Sequence, residues 1–203
     1  PLNIKGNYSI NDLKKLTIFS KITDKLDFAP VGKCVCWGIP FWINKIIWLK
    51  DTTFALPLKK LKANWLVFMH TAEAKKITQD QHGFMVKPKR GIGLLGEHIA
   101  NYFVIYQDNT QQVLPIKRRI EIGAFHKGWG VNCAAAVVYQ KPYSVEPERW
   151  SGAWGVGQTK VNAADTPPWI NWLWAWENPY PDKEIKEIRF EPIKDWIIVF
   201  GIS

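Results

Sequence analysis

With 203 residues and 47% apolar side chains, the chain can bury a sizeable core, and its composition excludes bulk disorder. No apolar run approaches the roughly 18 residues a membrane helix needs, the one at 196–200 being strand-sized, so no membrane span is expected. The net charge of +9 is unevenly placed, with 16 Lys and Arg against 7 Asp and Glu in residues 1–100 and 11 of each in residues 101–203. Such a field favours an anionic partner (nucleic acid, an acidic glycan or an acidic surface), although a solubilising lysine coat gives the same count.

The chain opens at Pro1, with no Met and no basic-then-apolar leader, and reads as a trimmed or processed piece of something longer. Asn7-Tyr8-Ser9 fits a glycosylation acceptor, a pattern short enough to recur by chance. "SINDLKKLTIFSK" has room for a short helix. Cys34 and Cys36 are two apart and share one face of a strand, where a bridge between them would be strained. With Cys133 alone and no Cys-x-x-Cys pair, buried free thiols are expected rather than a metal site.

"FWINKIIWL" reads as two short strands about Asn44-Lys45. "ANWLVFMHTA" follows, with Trp65, Val67 and Met69 on one face and Leu66, Phe68 and His70 on the other. A strand apolar on both faces lies between two layers. "TAEAKKITQDQ" has room for a helical turn or two. "NYFVIYQDNTQQVLPI" is a hairpin: Tyr102, Val104 and Tyr106 alternate with Phe103 and Ile105, Asp108-Asn109 supplies a turn, and Val113 to Ile116 returns. In "IKRRIEIG", a strand would put Arg118 on the same side as Ile116 and Ile120. A buried arginine needs a partner, either Glu121 or a distant carboxylate; the functional alternative makes Arg118 or Arg119 a clamp for a carboxylate or hydroxyl pair.

"WINWLWAWENPYPDKEIKEIRFEP" holds four tryptophans within eight residues. As a strand it puts Trp172, Trp174 and Trp176 on one face and Leu173 and Ala175 on the other. Thr166-Pro167 is a possible helix start, but a helix would scatter Trp174 away from Trp169, Trp172 and Trp176. The strand is preferred because aromatic residues suit a pleated surface and Asn178-Pro179 closes the run. The segment 178–184 is then a turn, with Ile188 and Phe190 in the following strand. "DWIIVFGI" opposes Trp196, Ile198 and Phe200 to Ile197 and Val199. Thirteen prolines and fourteen glycines punctuate these strands, and the expectation is one all-β sandwich or barrel domain over 1–203 with little helix.

Three tryptophans on one strand face are expected to fill the core between sheets. Trp129 in "FHKGWGVN", and Trp150 and Trp154 in "EPERWSGAWGVGQT", are flanked by glycine and serve better as exposed rings on loops. An indole face packs against the axial C–H patch of a sugar, whose hydroxyls then need planar polar partners at the rim. Arg149, Gln158 and Glu148 lie in the same loop as two of these rings. Single-stranded nucleic acid also stacks on aromatics beside basic residues, but no oligonucleotide-binding motif accompanies the charge.

"GIPFWI", "WLVFMHTA", "GEHIANYFVIYQDNTQQVLPIKRRIEIG" and "WLWAWENPYPDKEIKEIRFEP", in that order across roughly residues 37–192, resemble a galactose-binding-like β-sandwich module. Modules of this kind are appended to microbial carbohydrate-active enzymes and to some PHP-type metallohydrolases. The resemblance implies a jelly-roll fold and a non-catalytic, extracellular or secreted accessory that binds a polysaccharide or oligosaccharide beside the catalytic domain of a parent enzyme. Asn109 replaces the usual turn glycine, a change that positive φ tolerates. The basic surface departs from the acidic or mixed surface of related modules and turns the expected ligand toward an acidic polysaccharide. Members of the family often hold a structural calcium, but no calcium motif maps onto this sequence.

The expected sugar-binding set is Trp129, Arg149, Trp150, Trp154 and Gln158, with Arg118 as a clamp. The alternative is a structural sandwich that docks on its parent without binding sugar. No cofactor is expected, and nucleic acid is not the expected partner. Catalysis is not expected either: His70, His82, His98 and His126 are scattered, no Gly-x-Ser-x-Gly elbow appears, and Glu146 and Glu148 read as solvated loop charges.

Overall fold

The alternating patterns are realised as strands in a computed structural model, which describes residues 1–74, 95–126, 132–140 and 167–203. Three short helical pieces come first: α1 (Ile10–Lys14), a 3-10 turn (Thr17–Phe19) and α2 (Thr23–Leu26). Ser9 starts α1 by accepting from the Asp12 amide at 3.1 Å, while the Asp12 carboxylate accepts from the Ser9 amide, a reciprocal cap. Eleven strands are described: β1 (Gly32–Cys36), β2 (Ile39–Ile43), β3 (Ile47–Leu49), β4 (Phe54–Leu61), β5 (Trp65–Ala72), β6 (His98–Tyr106), β7 (Gln111–Lys117), β8 (Ala136–Val138), β9 (Trp172–Glu177), β10 (Ile185–Pro192) and β11 (Ile197–Ile202).

Every strand pair is antiparallel, in a four-stranded sheet ordered β4-β10-β6-β7, a five-stranded sheet ordered β3-β11-β5-β9-β8 and the β1-β2 hairpin. The fold is an all-β sandwich of jelly-roll type. Its main core lies between the two larger sheets. Tyr102, Val104, Leu114, Ile188 and Phe190 come from one side, and Leu66, Phe68, Ile197 and Val199 from the other. Each buried aliphatic or aromatic side chain stabilises by about 1.5–3 kcal/mol relative to exposure.

The five-stranded sheet is apolar on its second face as well, and that face carries another core. Met69, Leu173, Ile198 and Phe200 meet Leu13, Phe19 and Leu26 of the helical pieces and Cys36, Phe41 and Ile43 of the hairpin. This explains why 65–72 and 196–202 read as apolar on both faces: β5 and β11 are the middle layer of three. Gly201 makes the third layer possible, since a Cβ there would lie 2.9 Å from the Phe41 ring.

The tryptophan-rich stretch is β9. Trp174 and Trp176 pack half-buried against the core between the sheets, and Leu173 points into the outer core. Trp172 is fully buried, with Ala136 and Ile170 beside it. Its indole Nε1 donates to the Ala124 carbonyl at 3.0 Å, and the ring lies so close to Gly123 that a Cβ there would fall 2.2 Å from it.

The hairpin of β6 and β7 turns through residues 107–110 with Asn109 at φ +66°, the conformation that a glycine or asparagine takes readily. The two strands of "FWINKIIWL" are present as β2 and β3. They do not pair with each other: β2 joins β1 and β3 joins β11, so residues 44–46 carry the chain from one sheet to another. The strand expected to run through Arg118 to Ile120 ends at Lys117, where Arg119 at φ +62° begins a turn. Of the segment 71–81, expected to hold a helical turn or two, Thr71 and Ala72 end β5 instead and residues 75–81 lie outside the described residues. Among the described residues no helix is long and apolar enough to cross a membrane.

Candidate functional site

Of the residues expected to bind sugar, Trp129, Arg149, Trp150, Trp154 and Gln158 lie outside the described residues, as do Glu146, Glu148 and His82. Arg118 is described and is only 3% exposed. Its Nε donates to Glu97 at 3.0 Å, its Nη1 to the Glu73 carbonyl at 2.6 Å and its Nη2 to Asp195 at 2.5 Å. These partners are distant in sequence. Glu121 instead accepts from the Lys117 amide at 2.8 Å.

Exposed indoles are found at other positions, and two of them belong to the β1-β2 hairpin. Strand alternation sends Cys36, Phe41 and Ile43 inward and leaves Lys33, Val35, Pro40 and Trp42 outward. In the ladder Lys33 lies opposite Trp42 and Val35 opposite Pro40. Trp42 is 41% exposed and Val35 70% exposed. The Lys33 Nζ sits over the Trp42 ring, 5.5 Å from its centroid.

The hairpin closes through Trp37-Gly38, with φ of +54° and +82°, as a two-residue turn of the I′ kind requires. Positive φ is unfavourable for a bulky side chain, so the surroundings must hold Trp37 in place. Part of that hold is visible: the Trp37 indole Nε1 donates to the Val138 carbonyl on β8 at 2.7 Å. The tip of the hairpin is thereby fastened to the edge of the five-stranded sheet.

A groove flanks each end of this hairpin. The one at the open end, about 500 Å³, runs between the hairpin and the helical pieces. Trp42 and Asn44 line one side, and Asn11, Lys14 and Asp27 line the other. Lys14 is ion-paired with Asp27, which leaves that carboxylate neutralised but still able to accept hydrogen bonds. An indole with planar amides and a carboxylate around it offers apolar stacking together with paired donors and acceptors.

The second groove, about 590 Å³, lies at the tip and has a different chemistry. Phe28, Pro30, Val35 and Trp37 make it apolar, and Cys34, Cys36 and Tyr139 also line it. Cys34 and Cys36 are free thiols. Burial pushes the Cys34 and Cys36 thiols up, Cys36 to about 12, so they stay protonated at neutral pH and are poor nucleophiles. Burial likewise raises the Tyr139 hydroxyl to about 12.

Among the described residues no three His, Cys, Asp or Glu side chains come together as a metal site, and none offers the carboxylate cluster a structural calcium would take. His70 is enclosed between the sheets, and His98 bonds the Asn101 side chain at 2.7 Å. Asn7, in the glycosylation-like triplet, brackets Trp48: its Nδ2 donates to the Trp48 carbonyl at 3.0 Å and its Oδ1 accepts from the Trp48 amide at 2.9 Å.

Neither protein-family models, nor curated proteins, nor solved structures give a match to this chain. Fold and local chemistry therefore carry the functional reading.

The hairpin site was not singled out from the sequence, although its signal was there. "GKCVCWGIPFWI" alternates inward Cys34, Cys36, Phe41 and Ile43 with outward Lys33, Val35 and Trp42 about a Trp-Gly turn. Two facing strands read in register bring Lys33 and Trp42 together.

Proposed function

We propose that this chain is a non-catalytic carbohydrate-binding module of galactose-binding-like character, and that the groove beside Trp42 is a sugar site. The reading rests on one observation: a half-exposed indole in a groove that is also lined by Asn11, Asn44 and Asp27. A pyranose stacks its C–H face on the indole and directs its hydroxyls to the two amides and the carboxylate, each able to satisfy hydroxyl groups as the sugar leaves water. The ordered motifs from 37 to 192 and the jelly-roll-type sandwich support the same reading, as does the rigid three-layer body behind the hairpin.

Isothermal titration against a panel of oligosaccharides tests it. Trp42→Ala is expected to weaken the best ligand about tenfold or more, the effect of losing roughly 1.5–3 kcal/mol of buried aromatic contact. Affinity unchanged in Trp42→Ala would remove the groove from consideration.

A second reading, docking on another domain of the parent protein, is favoured by the groove at the hairpin tip. Phe28 is 59% exposed there, next to Val35 and Trp37, an apolar surface of the kind that marks protein contacts. If this surface is a docking face, the isolated chain self-associates in sedimentation velocity, and Phe28→Lys with Val35→Lys makes it monomeric. A native chain that stays monomeric at high concentration would count against docking.

A further inference from the structure

We infer that the Trp42 site selects sugars bearing a carboxylate, and that Lys33 is the residue that makes the selection; this rests on the sugar-site reading above. The argument starts from the position of the lysine. Lys33 and Trp42 face each other across the ladder, and the ammonium rests over the indole 5.5 Å from the ring centroid. Among the described residues Lys33 has no carboxylate partner, so the ring face is what holds its charge. Lys33 reaches the site through the Trp42 ring rather than from the groove wall, and Asp27, the acidic group of the groove that Trp42 lines, is paired with Lys14.

Any sugar stacking on that face must move the ammonium aside. A cation–π contact at an exposed site is equivalent to roughly two- to fivefold in Kd, and a neutral sugar gives up that amount with nothing in return. A uronic acid ring gives the displaced ammonium a carboxylate at the edge of the stacked ring, and an exposed ion pair recovers up to about fivefold. Lys33 thus works against neutral sugars and for acidic ones from a single position, and discrimination of this kind needs both elements. Because Asp27 is already neutralised, it does not repel the incoming carboxylate.

Matched polymer pairs test the inference. Polygalacturonate, alginate and hyaluronan are each compared with their carboxyl-reduced, neutral counterparts by affinity electrophoresis, using the native chain, Lys33→Thr, Lys33→Arg and Trp42→Ala. Lys33 is exposed on a strand, and near-UV circular dichroism checks that each variant is folded. The expected result is that the native chain holds at least one acidic polymer about two- to fivefold tighter than its neutral partner. Lys33→Thr then loses the difference and gains affinity for the neutral polymer, while Lys33→Arg keeps the preference.

Two results overturn the inference and leave the sugar site standing: equal binding of acid and neutral partners by the native chain, or a preference that survives in Lys33→Thr. The second assigns the preference to the overall +9 charge. No retention of any polymer, with Trp42→Ala behaving as the native chain does, overturns the sugar site and the inference together.

Discussion

Arg118→Met is expected to destabilise the protein by about 3–5 kcal/mol, read as a lower urea midpoint with little change in slope. The size follows from what the substitution leaves behind. Arg118 donates to Glu97, Asp195 and the Glu73 carbonyl, which lie just before β6, just before β11 and just after β5. Its own amide donates to the Glu97 carbonyl at 2.8 Å, and its carbonyl accepts from Gly96 at 2.9 Å. One side chain therefore ties the ends of several strands from both large sheets.

Without the guanidinium, two nearly buried carboxylates lose the charge they share, although Lys194 stays 3.4 Å from Glu97. Removing one partner of a buried ionic group is more damaging than never having had the group, because the remaining charges stay desolvated. Lys at this position restores the charge but not the fork that reaches three acceptors in three directions, so Arg118→Lys should lose less than Met and more than a surface change. A midpoint for Arg118→Met within about 0.5 kcal/mol of the native chain would show that the cluster relaxes into solvent on substitution.

Arg118 also shows which parts of this fold are legible in its sequence. Period-two alternation identified β5, β9 and β11, and it even identified which side chains oppose one another, because burial on one or two faces leaves a direct mark on composition. That a third layer covers β5 and β11 was implied by their two apolar faces, but its source was not. Nothing local in "SINDLKKLTIFSK" says that Leu13 and Phe19 join Ile198 and Phe200 in one core, with Phe19 against Trp196. Strand partners were legible where a tight turn joined them, as at Asp108-Asn109, and illegible where the chain changed sheets, as at 44–46.

The partners of Arg118 are illegible for the same reason. Glu97 is 21 positions away and Asp195 is 77, and pairing at such distances is set by the packing of whole sheets. The candidate sugar site lies between these extremes. Its two key residues come from one hairpin, so the register of "GKCVCWGIPFWI" contains it. Asn11 and Asp27 on the far wall come only with the helical layer.

Stability should fall as the pH drops from 7 to 5, and His70 is expected to supply about 2 kcal/mol of the loss. The ring is fully buried, stacked on Trp174 with ring centroids 6.3 Å apart and bonded at both nitrogens. Nε2 lies 2.9 Å from the Glu121 carbonyl, which can only accept, so the proton is on Nε2. Nδ1 then accepts from the Tyr102 hydroxyl at 3.0 Å. Burial pushes the His70 pKa from its ordinary 6.5 down to about 4, outweighing the Glu121 carbonyl, which favours the protonated ring.

The sign follows from comparing the two states. Above pH 6.5 the ring is neutral whether the chain is folded or unfolded, and its contribution is fully present. Between 6.5 and 4 the unfolded chain takes up a proton that the folded chain refuses, so stability falls. Below about 4 both states are protonated and the loss levels off near 3 kcal/mol in total. His70→Gln removes the titration, though it lowers stability at every pH by disturbing the stack. The reading is therefore the difference between pH 7 and pH 5 within each protein. Carboxylates titrate alike in both, so the native chain should lose about 2 kcal/mol more than the variant over that interval. Equal losses would mean that the folded core accepts the proton, which the Nδ1 bond from Tyr102 permits only if that hydroxyl turns away and finds another acceptor.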